Sequence, residues 1–200
     1  MKCKLLILAI CLTFMMDCEK GEREDFFDLD GNQISQLEFK LKRETGTIVV
    51  YYENGNKKAS VTLINGDMKR ILEWYENGNL KYETVYKDNS TLNRHEKEWY
   101  KNGKIKSEIG YKKDKMHGKI RRWYENGQKE SECEYFEGKP HGRWVWWREN
   151  GQMWALEEYR YGELNGKHID WDKNGKITRE TIFKDGKMIS DKYPQKNKTK

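Results

Sequence analysis

The stretch Trp123-Tyr124-Glu125-Asn126-Gly127 decides the fold, because near-copies of it recur along the chain. The copies end at glycines that are 23 to 25 residues apart. A fixed period of this length indicates a repeat array, in which one small unit is stacked many times. What recurs is therefore predicted to be architecture, and function is sought in what does not recur. The repeat glycines are Gly31, Gly55, Gly78, Gly103, Gly127, Gly151 and Gly175.

Two columns of apolar residues accompany these glycines. Residue alternation around the columns predicts half-buried strands, and Asn-Gly between two such runs predicts a tight hairpin turn. We expect the rings of both columns to interleave on one face of the sheet. Four residues before each glycine stand Phe27, Tyr51, Trp74, Trp99, Trp123, Trp147 and Trp171, and eight residues after it stand Phe39, Leu63, Tyr86, Tyr111, Tyr135, Tyr159 and Phe183.

The predicted fold class is all-β: an open antiparallel single-layer repeat sheet of about seven 24-residue β-hairpin repeats. Two places depart from the pattern. The stretch from Tyr86 to His95 lacks the second turn glycine and carries one extra residue, which predicts a bulged or protruding loop. The first copy has Lys42 where a turn glycine is expected.

The phrases W-Y-E-N-G, Y-x-x-G and H-G-x-x-x-x-W resemble the bacterial variant of the MORN repeat. More closely, they resemble the YwqK family of toxin–antitoxin system antitoxins. The resemblance covers about residues 27–188, which we assign as the MORN-like repeat domain. It implies the repeat-sheet fold, and it implies an antitoxin-like role only as a family label, because a scaffold does not specify a function.

The sequence at the amino end predicts that the protein is exported. Lys2 and Lys4 precede an apolar run from Leu5 to Met16, which is too short for a bilayer that needs ~20 residues. This pattern is typical of a secretory signal. Cys18 follows the run, as in a bacterial lipoprotein signal. We therefore expect a signal peptide over 1–18 with lipidation at Cys18, an acidic tether over 19–26, and a basic tail over 189–200 that frays or covers the last edge strand. Another secretory outcome and a retained cytosolic amino end are the alternatives.

The residues predict no catalytic, metal or cofactor site. His117 and His141 occupy one repeat slot, but no cysteine or carboxylate recurs beside them, so they are interpreted as turn residues with solvent-facing rings. Cys133 stands alone in the array and is expected to be a small buried filler. The net charge of +6 comes from lysines dispersed over every repeat, which favours a solvated face over a nucleic-acid site.

A contact surface is predicted where the repeat breaks. The positions that are charged in other repeats become Trp144 and Trp146, and Trp154 follows in the next strand. We assign them to the face opposite the two columns. Exposed clustered aromatics mark interfaces, although a second layer or a strong twist could cover them instead. A ladder expected on the same face completes the predicted partner-binding set with Tyr52, Tyr75, Tyr100 and Tyr124.

These observations predict a non-catalytic protein-binding scaffold in the cell envelope, a monomer tethered by a lipid and acting as an antitoxin- or immunity-like binder. Its partner would be a cognate toxin or a surface receptor. One alternative is an adhesin-like surface protein that contacts host cells or cell-wall polymer. Another is a cytosolic antitoxin with an uncleaved amino end.

Overall fold

The computed structural model describes residues 23–193. The predicted signal peptide, Cys18, residues 19–22 and the tail from 194 onward lie outside the described residues. The chain divides into two compact units, residues 1–103 and 104–200. Each unit is described by itself.

Unit 1 is an open antiparallel sheet with one short helix. Its strands follow the spatial order β2-β1-β3-β4-β5-β6-β7, so that hairpin follows hairpin along the chain. The elements are β1 (Arg23–Phe27), β2 (Gln33–Ile34), α1 (Gln36–Leu41), β3 (Gly46–Tyr51), β4 (Lys57–Ile64), β5 (Asp67–Trp74), β6 (Leu80–Lys87) and β7 (Ser90–Trp99).

Unit 2 repeats the arrangement, and its described residues contain strands but no helix. The order is β8-β10-β11-β12-β13-β14-β15-β16, and β9 pairs with β8. The predicted all-β fold of antiparallel hairpin repeats is confirmed. The strands are β8 (Ile105–Lys112), β9 (Lys115–Met116), β10 (Gly118–Trp123), β11 (Lys129–Phe136), β12 (Lys139–Trp147), β13 (Met153–Arg160), β14 (Glu163–Trp171), β15 (Ile177–Lys184) and β16 (Lys187–Lys192).

The repeated Asn-Gly phrase builds the first turn of each repeat. The Gly127 amide donates to the Tyr124 carbonyl at 2.8 Å, and the Asn126 side chain accepts from the Gln128 amide at 2.8 Å. At the other end of the repeat, Glu137 and Gly138 have φ values of 51° and 82°. Two successive positive φ values suit the right-handed twist of a hairpin, so this turn favours glycine and tolerates few other residues.

A one-residue bulge beside the Asn-Gly turn sets which side chains share a face. Trp123 pairs with Lys129 but Arg122 pairs with Ser131, so Glu130 is an extra residue. Because side chains alternate along a strand, each such insertion moves every following side chain of the second strand to the other face of the sheet. The column before the glycine and the column after it therefore lie on opposite faces, and their prediction on one face is wrong. Equivalent shifts occur at Val50/Tyr51, Glu73/Trp74, Trp146/Trp147 and Asp170/Trp171.

We call the two sides of the sheet the tyrosine face, which bears Tyr135 and its equivalents, and the tryptophan face, which bears Trp123 and its equivalents. The tryptophan face is strongly charged. In unit 2, Arg121 lies 3.3 Å from Glu108 and 3.1 Å from Glu132, which links three neighbouring strands. The tyrosine face holds most of the buried small and apolar residues, including Ile120 and Cys133, although the buried Leu156 lies on the tryptophan face.

Helix α1 covers the tyrosine face of unit 1. Sequence analysis placed Phe39 in a strand column, but Phe39 lies in the helix, which starts with a capping box between Ser35 and Glu38. Its ring is only 4% exposed and packs on a core of four strand residues. Lys42, in place of the expected turn glycine, caps the helix. The core residues beneath Phe39 are Ile48, Val61, Leu63 and Met68.

Two boundaries differ from the predictions. Residues 23–26 of the expected acidic tether belong to β1, which pairs along its length with β3. The expected tail begins as strand β16, because the positive-φ pair Asp185 and Gly186 returns the chain onto β15. The stretch from Tyr86 to His95 forms a tight turn and a bulge, which is the first of the two forms predicted for it: Lys87 pairs with Ser90, whereas Tyr86 pairs with Arg94.

Candidate functional site

Five rings meet on the tyrosine face of unit 2. Trp144 lies between Tyr135 and Tyr159, with ring centroids 5.0 and 4.9 Å away. The row continues from Trp144 to Trp146 at 5.8 Å and from Trp146 to Trp154 at 5.9 Å. We call these five residues the aromatic cluster. The structure thus brings the three predicted tryptophans together, but beside the tyrosine column and not on the face opposite both columns.

Small neighbours make room for the indoles. Trp146 stands directly opposite Ser131 on one side and Ala155 on the other. Both of these side chains are buried, as is Cys133 between Ser131 and Tyr135. A large ring flanked by small cross-strand residues lies over them, because their side chains do not fill the surface of the sheet. The strand register therefore turns an ordinary repeat position into a broad aromatic surface.

Hydrogen bonds fix the inner rings of the cluster. The Trp144 indole nitrogen donates to the Glu134 carbonyl at 2.9 Å, and the Tyr159 hydroxyl donates to Glu157 at 2.7 Å. Burial, followed by the hydrogen bond to Glu157, raises the pKa of the Tyr159 hydroxyl. Burial also raises the pKa of the Cys133 thiol to about 11, so this cysteine is protonated at neutral pH and is a poor nucleophile.

The outer part of the cluster is open. Trp154 occupies the extra position of the bulge in its repeat and is 38% exposed. Trp146 is half-buried. The described residues of unit 2 form one layer of strands, so no helix of that part of the chain covers these rings.

Charges of opposite sign flank the cluster. On the β14 side, His168 lies 3.3 Å from Asp170 and 3.9 Å from Glu157, so two carboxylates share one imidazole. On the β10 side stands the exposed Arg122, which pairs with Ser131 in the strand between it and Trp146. The cluster therefore has a cationic side chain on its β10 side and carboxylates on its β14 side.

The tyrosine ladder connects neighbouring repeats. The hydroxyls of Tyr52, Tyr75 and Tyr124 each donate at 2.8 Å to a carbonyl of the next repeat. The acceptors are the backbone oxygens of Trp74, Trp99 and Trp147. Arg148 takes the same slot and donates to the Trp171 carbonyl at 2.8 Å. Partner binding by Tyr52, Tyr75, Tyr100 and Tyr124 stays a prediction, while these hydrogen bonds give the slot a structural role.

The two ends of this slot hold aspartate. Asp28 accepts from the backbone amides of Asp30 and Asn32, and Asp172 accepts from those of Asn174 and Lys176. Each carboxylate thereby caps its own turn. The backbone amides that bond to Asp172 hold the pKa of its carboxyl below the usual value. Aspartate in this slot therefore marks the first and the last repeat.

We expect Tyr75→Phe to lower the free energy of unfolding by about 1 kcal/mol, the usual net contribution of one such hydrogen bond. Urea unfolding followed by circular dichroism measures the difference. Tyr161→Phe is the matched control, because the Tyr161 side chain is exposed and its loss of a hydroxyl should change stability by less than about 0.5 kcal/mol. Equal stabilities for the two variants would contradict a structural ladder.

The histidines take part in a second row of rings. The Nδ1 atoms of His117 and His141 lie 3.4 and 3.5 Å from the backbone amides of Glu137 and Tyr161, from which they accept hydrogen bonds. The Phe136 ring stands between the two imidazoles, and its centroid lies 5.3 Å from that of His117 and 5.9 Å from that of His141. The repeat pattern did not predict this row, because Phe136 at the end of β11 and Tyr161 in the turn after β13 stand in slots that are mostly charged or polar in the other repeats. In residues 23–193, no group of three histidine, cysteine or acidic side chains could hold a metal ion.

A shallow groove of about 480 Å³ lies in unit 2 between Lys119, Arg143 and Trp147. Its charged groups are largely paired with one another. Lys129 lies 2.9 Å from Glu132, and this hydrogen bond contributes most to holding the pKa of the Glu132 carboxyl below its usual value. Lys129 also lies 5.2 Å from the Trp147 ring, within the range of a cation–π contact. The groove is thus part of the ion-pair network on the tryptophan face.

Within residues 23–193, no helix is long and apolar enough to cross a membrane. No curated protein matches the chain significantly. A family model described as the MORN repeat variant matches residues 70–88, 95–113, 116–137, 140–161 and 164–185. Each match spans one strand, an Asn-Gly turn region and the following strand, and such an array is consistent with a non-catalytic repeat scaffold. The matched segments cover half of the chain, which therefore belongs to the MORN repeat variant family.

Proposed function

We propose that this protein binds another protein through the aromatic cluster. The observation that carries the proposal is the partly exposed pair Trp146 and Trp154, which stands on an inner support of Tyr135, Trp144 and Tyr159. Tryptophan and tyrosine are favoured anchors in interfaces. Rigid rings also lose little conformational entropy when a partner covers them, since each has only two side-chain torsions.

The double variant Trp146→Ala/Trp154→Ala tests this function. Trp144 should stay unchanged, because it is wedged between two tyrosines and its loss would disturb the fold. A photo-crosslinking residue at position 154 identifies the partner, and titration of the purified partner gives the affinity. We expect the double variant to bind at least ~30-fold more weakly, since an anchor of this kind contributes ~2 kcal/mol or more.

Trp123→Ala is the control on the opposite face. Its half-buried ring lies on the tryptophan face, so its loss should weaken folding without changing the affinity of the folded protein. Unchanged partner affinity in the folded double variant would contradict the proposal. Crosslinking from the exposed Arg143 position, but not from position 154, would place the contact on the tryptophan face instead.

We further propose that the protein is an exported lipoprotein that acts as an immunity-like binder of a toxic protein. This rests on the amino-terminal sequence, in which Cys18 follows a basic start and the short apolar run from Leu5 to Met16. An adhesin-like contact with cell-wall polymer is the second candidate, because exposed tryptophans also stack on sugars. Gene neighbourhood separates the two: an adjacent toxin gene supports the immunity role.

Metabolic labelling with palmitate tests the anchor. The wild-type chain should incorporate the label and fractionate with membranes, and Cys18→Ala should do neither. Cys133→Ala serves as the control, because this buried thiol should not be the acylation site. An unlabelled wild-type chain would refute lipidation but would leave the protein-binding function standing.

A further inference from the structure

In unit 1, a helix covers the tyrosine face of the sheet. Helix α1 lies on it, and the capping box at Ser35 and Glu38 defines the start of this helix. Phe39 projects from α1 into the core, where its ring centroid lies 5.5 Å from that of Phe26. Beneath it Leu63 is 2% exposed. The chain itself therefore seats a short helix on this face by one large ring.

The described residues of unit 2 present the same face without a helix of their own over it. Its strands have the same bulge and the same antiparallel register, so Tyr135 and Tyr159 correspond to Leu63 of unit 1. The neighbouring strand carries larger residues on this face, because Trp144 and Trp146 of β12 take the positions that Ile48 and Val50 hold in β3. The tyrosine face of unit 2 therefore carries more aromatic rings, and is more exposed, than the part of unit 1 that lies under α1.

We propose that the aromatic cluster receives one amphipathic helix of a partner protein, seated on the sheet as α1 is seated in unit 1. This inference rests on the proposed function and names the partner element. The helix would bring an apolar stripe to Trp146 and Trp154, where α1 brings the single ring of Phe39 to its own core. An isolated strand added to a sheet edge would leave the cluster untouched, because the cluster lies on a face.

The flanking charges specify how the helix is oriented. Arg122 stands on β10 and Asp170 on β14, which are four strand spacings or ~19 Å apart. A helix with its side chains is ~10–12 Å wide. A helix running along the strands therefore leaves room on each side for one long charged side chain. The partner helix should be acidic on the side of Arg122 and basic on the side of Glu157 and Asp170.

Selection from a displayed library of random peptides tests the inference on the full chain. The peptides should have about 18 residues, long enough for an isolated helix to form in water. We expect enriched sequences to repeat apolar residues every three or four positions, with acidic and basic residues on opposite flanks. Synthetic versions should become helical on binding, as seen by circular dichroism, and should quench or shift the tryptophan fluorescence of the protein.

Variants decide where and how the peptides bind. Trp146→Ala/Trp154→Ala should weaken binding at least ~30-fold, the loss that corresponds to ~2 kcal/mol, while Trp123→Ala should leave the affinity of the folded protein unchanged. Arg122→Glu should weaken binding severalfold, and a peptide with its acidic flank made basic should restore it.

Three results would overturn the inference: no enriched peptide, peptides with strand-like alternation, or equal affinity for the double variant. A physiological protein partner that requires Trp146 and Trp154 but contacts them through a strand or a loop would overturn the helix alone, and protein binding at the cluster would still stand. A sugar chain as the partner would overturn the proposed protein-binding function as well, so the two failures are distinguishable.

Discussion

Phe39→Ala is expected to lower the free energy of unfolding by about 3–5 kcal/mol, the usual cost of removing a fully buried phenylalanine ring. Phe39 fills the centre of the core between α1 and the sheet, and no neighbour on a six-residue helix can replace it. Most single domains are stable by only ~5–15 kcal/mol. This one change should therefore remove a large part of the stability of unit 1, as measured by urea unfolding.

Leu41→Ala is the matched control. Leu41 lies in the same helix and is also large and apolar, but it is 74% exposed, so its loss should change stability by less than about 0.5 kcal/mol. Native-state hydrogen exchange locates the effect: the amides of Val61 and Leu63 should lose protection in Phe39→Ala only. Equal losses of stability in the two variants would mean that α1 does not cover the sheet.

The hairpins could be predicted from sequence because their turns are local. Asn126 and Gly127 bond within their own turn, and the Glu137-Gly138 pair is recognisable by its tolerance of positive φ. Such signals need no knowledge of the rest of the fold. The strand positions followed from the turns, and the described strands agree with them except at the ends of the array.

The faces could not be predicted in the same way. A single extra residue, such as Glu130, reverses every side chain beyond it, and nothing in the identity of Glu130 marks it as the extra residue. The tryptophans were expected together from their departure from the repeat, and they are together. Their side of the sheet depends on pairing register, which is a property of two strands and not of one.

The ends of the array depend on tertiary contacts. Phe39 has the spacing of a column residue, yet the capping box at Ser35 starts a helix that carries the same ring to the same core by another route. At the other end, Arg179 and Thr181 both bond to Asp191, which holds β16 in place despite its lysines. These contacts involve residues that lie outside the Asn-Gly turns by which the repeat is recognised in the sequence.

The second large effect is expected for Gly46→Ala. Gly46 begins β3 with a φ of 142°, and a Cβ added there would lie 2.2 Å from the Phe27 carbonyl oxygen. It would also lie 3.2 Å from the Phe39 ring. Because backbone cannot yield as a flexible side chain can, β1 and β3 must separate or the ring must leave its site. We expect a loss of about 3 kcal/mol or more, which combines backbone strain with displaced packing.

Gly55→Ala separates these causes. Gly55 has a φ of 84° and nothing within 4 Å of an added Cβ, so its replacement carries the strain of a positive φ alone. That strain costs about 1–2 kcal/mol for an L-residue. If both alanine variants lose the same stability in urea, the contact between Gly46, β1 and Phe39 contributes nothing, and the glycine is required only for its φ. If Gly46→Ala loses clearly more, close approach of β1, β3 and the helix ring is the reason that a glycine begins the first regular strand pair.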